Sequence, residues 1–221
     1  MEQLVPDELY LERGTVSWSR PIFQGDVFKN IPLPGFPDAS YLIQVLTHPC
    51  SMRRGTNLNE WIQVAPVKPY QNVTDWHQHG KWMPLPDLLE DGSHYATKFV
   101  DLTGVQASKL TLGSRIASLS ERGVLALQQR LVRHSTRLEL EIEQFRQQSA
   151  PVLVEADLQE AWVETVLGNE LPTEELIDRA IVSFHHWLDE DDKRRRNDLQ
   201  SEVNHSRLRK DVRAAAAASQ V

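Results

Sequence analysis

The stretch Tyr41 to Val67 constrains the fold most. It holds two apolar runs of β character, Tyr41–Leu46 and 61–67, around a polar segment of 14 residues. Runs rich in Val, Ile, Leu and aromatics, bounded by Pro, Gly and Asn, read as buried strands. The polar segment is longer than a hairpin turn needs, and long ordered loops tend to carry function. It contains His48, Cys50, Arg53 and Arg54, with Glu60 at its far end.

Other signals extend this reading in both directions. Leu9, Leu11, Val16 and Trp18 suggest a first short strand or an irregular lead-in. Gln24-Gly25-Asp26-Val27-Phe28 starts a strand, and Pro32, Pro34 and Pro37 then demand a loop. The run Met83-Pro84-Leu85-Pro86 reads as irregular, and Thr97–Leu102 reads as a strand. From Ser120 the period changes. Val124, Leu127, Leu131, Leu138, Ile142 and Phe145 recur at helical spacing, with Ser120 as N-cap and Pro151 as stop. That predicts one helix of roughly 40 Å, at about 1.5 Å per residue. Beyond it, Leu158, Trp162, Val166 and Leu167 form an apolar face closed by Gly168. Leu176, Ile177, Ala180, Ile181, Phe184, Trp187 and Leu188 form another, with His185 expected to face solvent. The charged and alanine-rich tail after Asp189 reads as a solvated helix, extended or frayed.

With 40% hydrophobic residues, the 221-residue chain can pack a core. Its net charge of −7 argues against coating nucleic acid with the whole surface, though not against a local basic groove. One cysteine, Cys50, excludes an internal disulfide framework and fits a reducing compartment. The first residues have no apolar signal region and no apolar run approaches a membrane span, so a cytoplasmic protein with no membrane partner is expected.

The candidate chemistry centres on the loop. His48 and Cys50 pair an imidazole with a thiol, a nucleophile pattern set against the ordinary role of Cys as a small buried hydrophobe. Metal-independent RNA cleavage needs a base, an acid and a cation at the phosphate. His48, Glu60 and Arg53 or Arg54 supply those types, and Lys68 joins Arg53 and Arg54 as an RNA-binding rim. His77 and His79, with His94, have possible zinc spacing, but one cysteine is too few for a structural zinc set, so no metal or other cofactor is expected. The basic run Lys193–Arg196, with Arg207, Arg209, Lys210 and Arg213, is mixed with acids. That favours ion pairs along helices and a partner-binding or self-associating role over a nucleic-acid face.

The order of motifs resembles the MazF/PemK toxin family over roughly residues 22–133. The resemblance rests on Gly25-Asp26-Val27, the Pro/Gly loop and the apolar strand. It continues through Val64-Ala65-Pro66-Val67 and Val100–Gln106. It ends on Lys109-Leu110-Thr111-Leu112-Gly113-Ser114-Arg115-Ile116-Ala117-Ser118-Leu119-Ser120 before a helix. It implies a small SH3-like antiparallel β-barrel followed by a helix, and with the helical periodicity beyond it the expected fold is α+β: the barrel over 1–119, a long helix packing on it over 120–149, and a helical extension over 150–221. It also implies a dimeric RNA endoribonuclease of toxin–antitoxin type. The sequence departs from the family at its catalytic positions. Tyr41-Leu42 stand where members carry Arg-Pro, Trp61 stands where a Thr often opens the strand, and Asp101 and Thr103 fall where an Arg and an Asp are used. Two functions from different classes therefore stay open: a degenerate RNA-directed toxin, and a noncatalytic module assembled through its C-terminal helices.

Overall fold

The computed structural model describes residues 5–71, 76, 79–168 and 172–219, with the side chains at 191 and 193 also left aside. The chain divides into two compact units, Met1–Ser17 with Ile22–Met52 and Leu58–Gln147, and Trp18–Pro21 with Arg53–Asn57 and Gln148–Val221.

The first unit is a curled, partly open antiparallel sheet, a half-barrel. A short helix α1 (Pro6–Leu9) precedes β1 (Tyr10–Arg13), so the lead-in is both helix and strand. β2 (Val27–Ile31), β3 (Tyr41–Val45), β6 (Trp61–Pro69), β7 (Trp82–Pro86), β8 (His94–Lys98) and β10 (Arg115–Leu119) complete the path β1-β10-β2-β3-β6-β8-β7. β9 (Thr103–Gln106) pairs with β6 beside that path. Ile43, Val45, Ile62, Val64 and Val105 meet in the core with Phe28, Met52 and Leu110. β6 explains why two periodicities coexist in one strand. Ile62 and Val64 alternate with exposed Trp61 and Gln63, whereas Ala65, Pro66 and Val67 are buried on both faces.

The Gly-Asp and Arg-Ile signatures join across this sheet. Gly25 adopts φ +96°, and a Cβ there would lie 2.6 Å from Leu119 Cδ1, so only glycine fits. The Asp26 carboxylate accepts from Arg115 Nη1 (3.1 Å), Ser118 Oγ (2.8 Å) and the Phe23 N–H (2.9 Å), all buried.

Three expectations about residues 82–151 are corrected. Residues 82–86 form a regular strand despite two prolines. β7 is the edge of the sheet, where a missing N–H removes no ladder bond if it points outward, and Met83 and Leu85 alternate into the core. The run 97–102 is divided: β8 ends at Lys98 and a 3₁₀ turn occupies Phe99–Asp101. The single long helix is two. α3 (Glu121–Thr136), capped by Ser120 Oγ on the Gly123 N–H (3.0 Å), stops where Arg137 turns left-handed at φ +68°. Leu138 falls in the connection and is exposed. α4 (Ile142–Leu167) then runs through Pro151, which lacks the N–H that would meet the Gln147 carbonyl.

The second unit is helical. The rest of α4 packs with α5 (Glu174–Asp198) and α6 (Glu202–Ala218) around Trp162, Phe184, Trp187, Leu188, Leu208 and Val212. Gly168 closes α4 at φ +67°, and Thr173 caps α5. The tail is no solvated rod: α6 buries Leu208, Val212 and Ala216 in this core. Its charges do pair, Arg196 with Asp189 (2.6 Å) within α5 and, between helices, Arg207 with Asp198 and Arg209 with Asp157 (3.7 Å). Among the described residues, no helix is long and apolar enough to cross a membrane.

Candidate functional site

Of the loop residues in the first unit, His48 and Glu60 lie at one end of β6 and Lys68 towards the other. His48 caps the short helix α2 (Pro49–Met52): its Nδ1 accepts from the Cys50 N–H (3.3 Å) and its carbonyl from the Ser51 N–H (2.8 Å). The ring is half-buried, and burial lowers its pKa, which favours a neutral imidazole whose proton sits on Nε2. Cys50 is exposed. Thr47 Oγ1 accepts from the Gln63 N–H (2.7 Å), which puts His48 at the N-terminal end of β6, where exposed Glu60 also lies.

Lys68 is elsewhere. It lies five residues beyond Gln63 on β6, about 17 Å at strand rise. There its ammonium meets Asp101 (3.4 Å), which also binds Lys98 (2.9 Å). The β3–β6 register makes this separation, since Leu42 pairs with Val67 and Val45 with Val64. Arg53 and Arg54 form β4, which pairs with β5 (Asn57–Leu58), and they belong to the second unit.

The histidine readings change as well. His77 lies outside the described residues. His79 Nδ1 is 3.0 Å from the Tyr70 hydroxyl, and no cluster of three metal-ligating residues occurs among the described residues. His185 does not face solvent, its side chain being 12% exposed. Arg196 Nη2 lies 3.3 Å from its Nδ1, and burial beside Arg196 and Arg53 pushes its pKa down to about 4. With His186, Asp189, Arg196 and Thr56 it lines a cavity of about 360 Å³ in the helical unit.

The structure builds two surfaces on the half-barrel from other residues. The first is the outer face of β6 and β9. Trp61 pairs with Gln106 and Gln63 with Gly104, so these four residues share one face. The Trp61 ring lies along Gly104 and is 54% exposed. With Pro32, Pro34, Val105, Gln106 and Lys109 it walls a shallow cleft of about 280 Å³. An exposed tryptophan on a sheet face, with a lysine at the rim, can stack a planar group and meet an anion beside it.

The second surface joins α3 to residues 79–82. Arg130 is 2% exposed and donates to the carbonyls of Trp82 (3.2 Å) and Trp76 (3.5 Å), with its guanidinium 6.0 Å from the Trp76 ring. Tyr70 packs on Trp82 and Trp76, with centroids at 4.6 and 5.4 Å. Burial and the neighbouring Arg133 push the Arg130 pKa down to about 10. Sequence reasoning passes over this group, although Arg130, Arg133, His134 and Arg137 stand at i, i+3, i+4 and i+7 on one helical stripe.

No protein-family model matches the chain, and no curated protein is significantly similar to it.

Proposed function

We propose that the half-barrel is a MazF/PemK-like module that binds single-stranded RNA on its β6–β9 face and does not cleave it. The observation that carries this reading is Trp61, a large ring held open on a sheet face between Gln63, Gln106 and Lys109. Stacking on an aromatic is worth about 1–3 kcal/mol per base and tolerates any sequence. The order of elements supports the toxin-like reading: the strand that begins at Val27 lies between the strands that begin at Tyr41 and Arg115, and a helix follows the last of them. The noncatalytic part rests on the loop. His48 is committed to capping α2, and Lys68 is about 17 Å along β6 from Gln63 and held by Asp101.

Fluorescence anisotropy with a labelled oligouridylate tests the proposal. The native chain binds in low salt, and Trp61→Ala weakens binding about tenfold or more while the fold persists, because the ring is exposed. Lys109→Gln lowers the salt slope by about 0.7, the share of one phosphate contact. Undiminished binding by Trp61→Ala sinks the assignment to this face. Cleavage of a long RNA in EDTA, lost in His48→Ala, sinks the noncatalytic part. Displacement of the RNA by a proline-rich peptide of higher affinity would replace RNA with a protein partner at the same cleft.

A further inference from the structure

Arg130 poses a problem that its contacts do not solve. Taking a guanidinium out of water costs several kcal/mol, and buried charges are normally paired. Among the described residues, no carboxylate pairs with it. Two carbonyls and one aromatic face supply its contacts, and Nη2 has no partner. One turn along α3, His134 Nδ1 is also buried without a partner, and the His134 ring packs at 5.7 Å from Phe99.

The surroundings add positive charge. Arg133 follows Arg130, with Nη1 2.8 Å from Glu139, itself half-exposed. Lys81 is tied to the same Phe99, its carbonyl accepting from the Phe99 N–H (3.0 Å), and Arg137 ends the helix three residues after His134. Burial depresses the His134 pKa, and both cations push it the same way. Lys81 and Arg137 are exposed. On a chain of net charge −7, this is a local concentration of cations, with two unpartnered nitrogens beneath it.

We propose that this junction of α3 with residues 79–82 is a phosphate-binding site, formed by Arg130, His134, Lys81 and Arg137. A phosphate monoester brings close to two negative charges and three terminal oxygens. Donors spread over a helix and a loop can each take one oxygen, and the mutual repulsion of the cations is relieved on binding. A carboxylate brings one charge and two oxygens and matches less of the set. The rings of Tyr70 and Trp82 alongside give a nucleobase something to stack on. The phosphate group is therefore common to three sources: the free ion, a mononucleotide and the 5′ end of an RNA. The site is independent of the Trp61 face. β8, which carries the partner of Trp82, pairs with β6 at Val67–Pro69, about 20 Å along the strand from Trp61.

Thermal unfolding and ³¹P line broadening of the full chain test this, with phosphate, acetate and chloride compared at matched ionic strength. Phosphate at a hundredfold excess over its Kd raises Tm by about 5 °C, and acetate does not. Arg130→Gln loses the shift. Because that variant can fail to fold, the surface pair Lys81→Gln/Arg137→Gln carries the test as well, with affinity for phosphate reduced at least tenfold. Tighter binding of AMP than of phosphate, with quenched tryptophan fluorescence, identifies a nucleotide source. A preference for 5′-phosphorylated over 5′-hydroxyl hexauridylate that survives Trp61→Ala identifies an RNA end. Equal shifts from acetate and phosphate, or a phosphate shift unchanged in the surface pair, overturn the site.

Discussion

Arg115 and Arg130 are both buried in the half-barrel, at 4% and 2% exposure, and they are held in opposite ways. Arg115 faces a carboxylate that is itself completely buried, and that carboxylate also accepts from Ser118 Oγ and the Phe23 N–H. Arg130 faces carbonyls and a ring. In the first arrangement the buried charge has its opposite. The second is a structural tie with charge left over. A buried ion pair says little about function, whereas a buried cation without an anion points to something that supplies one. The helical unit shows a third solution. His185 is also largely buried beside arginines, and it gives up its charge instead.

The largest expected effect breaks the buried pair. Asp26→Ala leaves Arg115 charged and buried and costs about 3–5 kcal/mol in urea unfolding. Replacing both partners with apolar residues of similar volume recovers much of that loss. Next comes His185. Its folded pKa lies below its unfolded value near 6.5, so the unfolded chain binds the proton first. Its contribution is fully present above pH 6.5 and is lost as pH falls towards 4, on the order of 3 kcal/mol in all. His185→Gln flattens that part of the stability–pH curve, and an unchanged slope would assign the acid sensitivity to other groups. The smallest effect is at Arg130. Arg130→Met frees two carbonyls but removes an uncompensated charge, so stability changes by about 1 kcal/mol or less in phosphate-free buffer. If Arg130→Met costs as much as Asp26→Ala, the two arginines are alike and the distinction between them fails.

Much of the fold is legible from local chemistry. The apolar runs at 41–46 and 61–67 appear as the two central strands β3 and β6, because alternation and β-branching favour a buried sheet wherever it is built. Ser120 is the helix cap it promises to be, and Gly168 the left-handed stop. The grouping of the candidate residues is not legible in this way. His48, Glu60 and Lys68 are close in sequence, but strand rise carries Lys68 away along β6. The stripe on α3 is visible as spacing, but its meaning depends on the carbonyls of Trp76 and Trp82, about fifty residues earlier.

The sequence alone thus determined where β3, β6, α3 and α5 begin and where α4 ends, since caps, turns and periodicity act over a few residues. Tertiary structure decided the rest. An edge position let β7 accept Pro84 and Pro86. A left-handed Arg137 divided a helix whose apolar spacing continues past it. Arg115 found Asp26 from 89 residues away, while Arg130 found no carboxylate among the described residues. Which charge meets which is set by strand order and register, and those are properties of the packed chain as a whole.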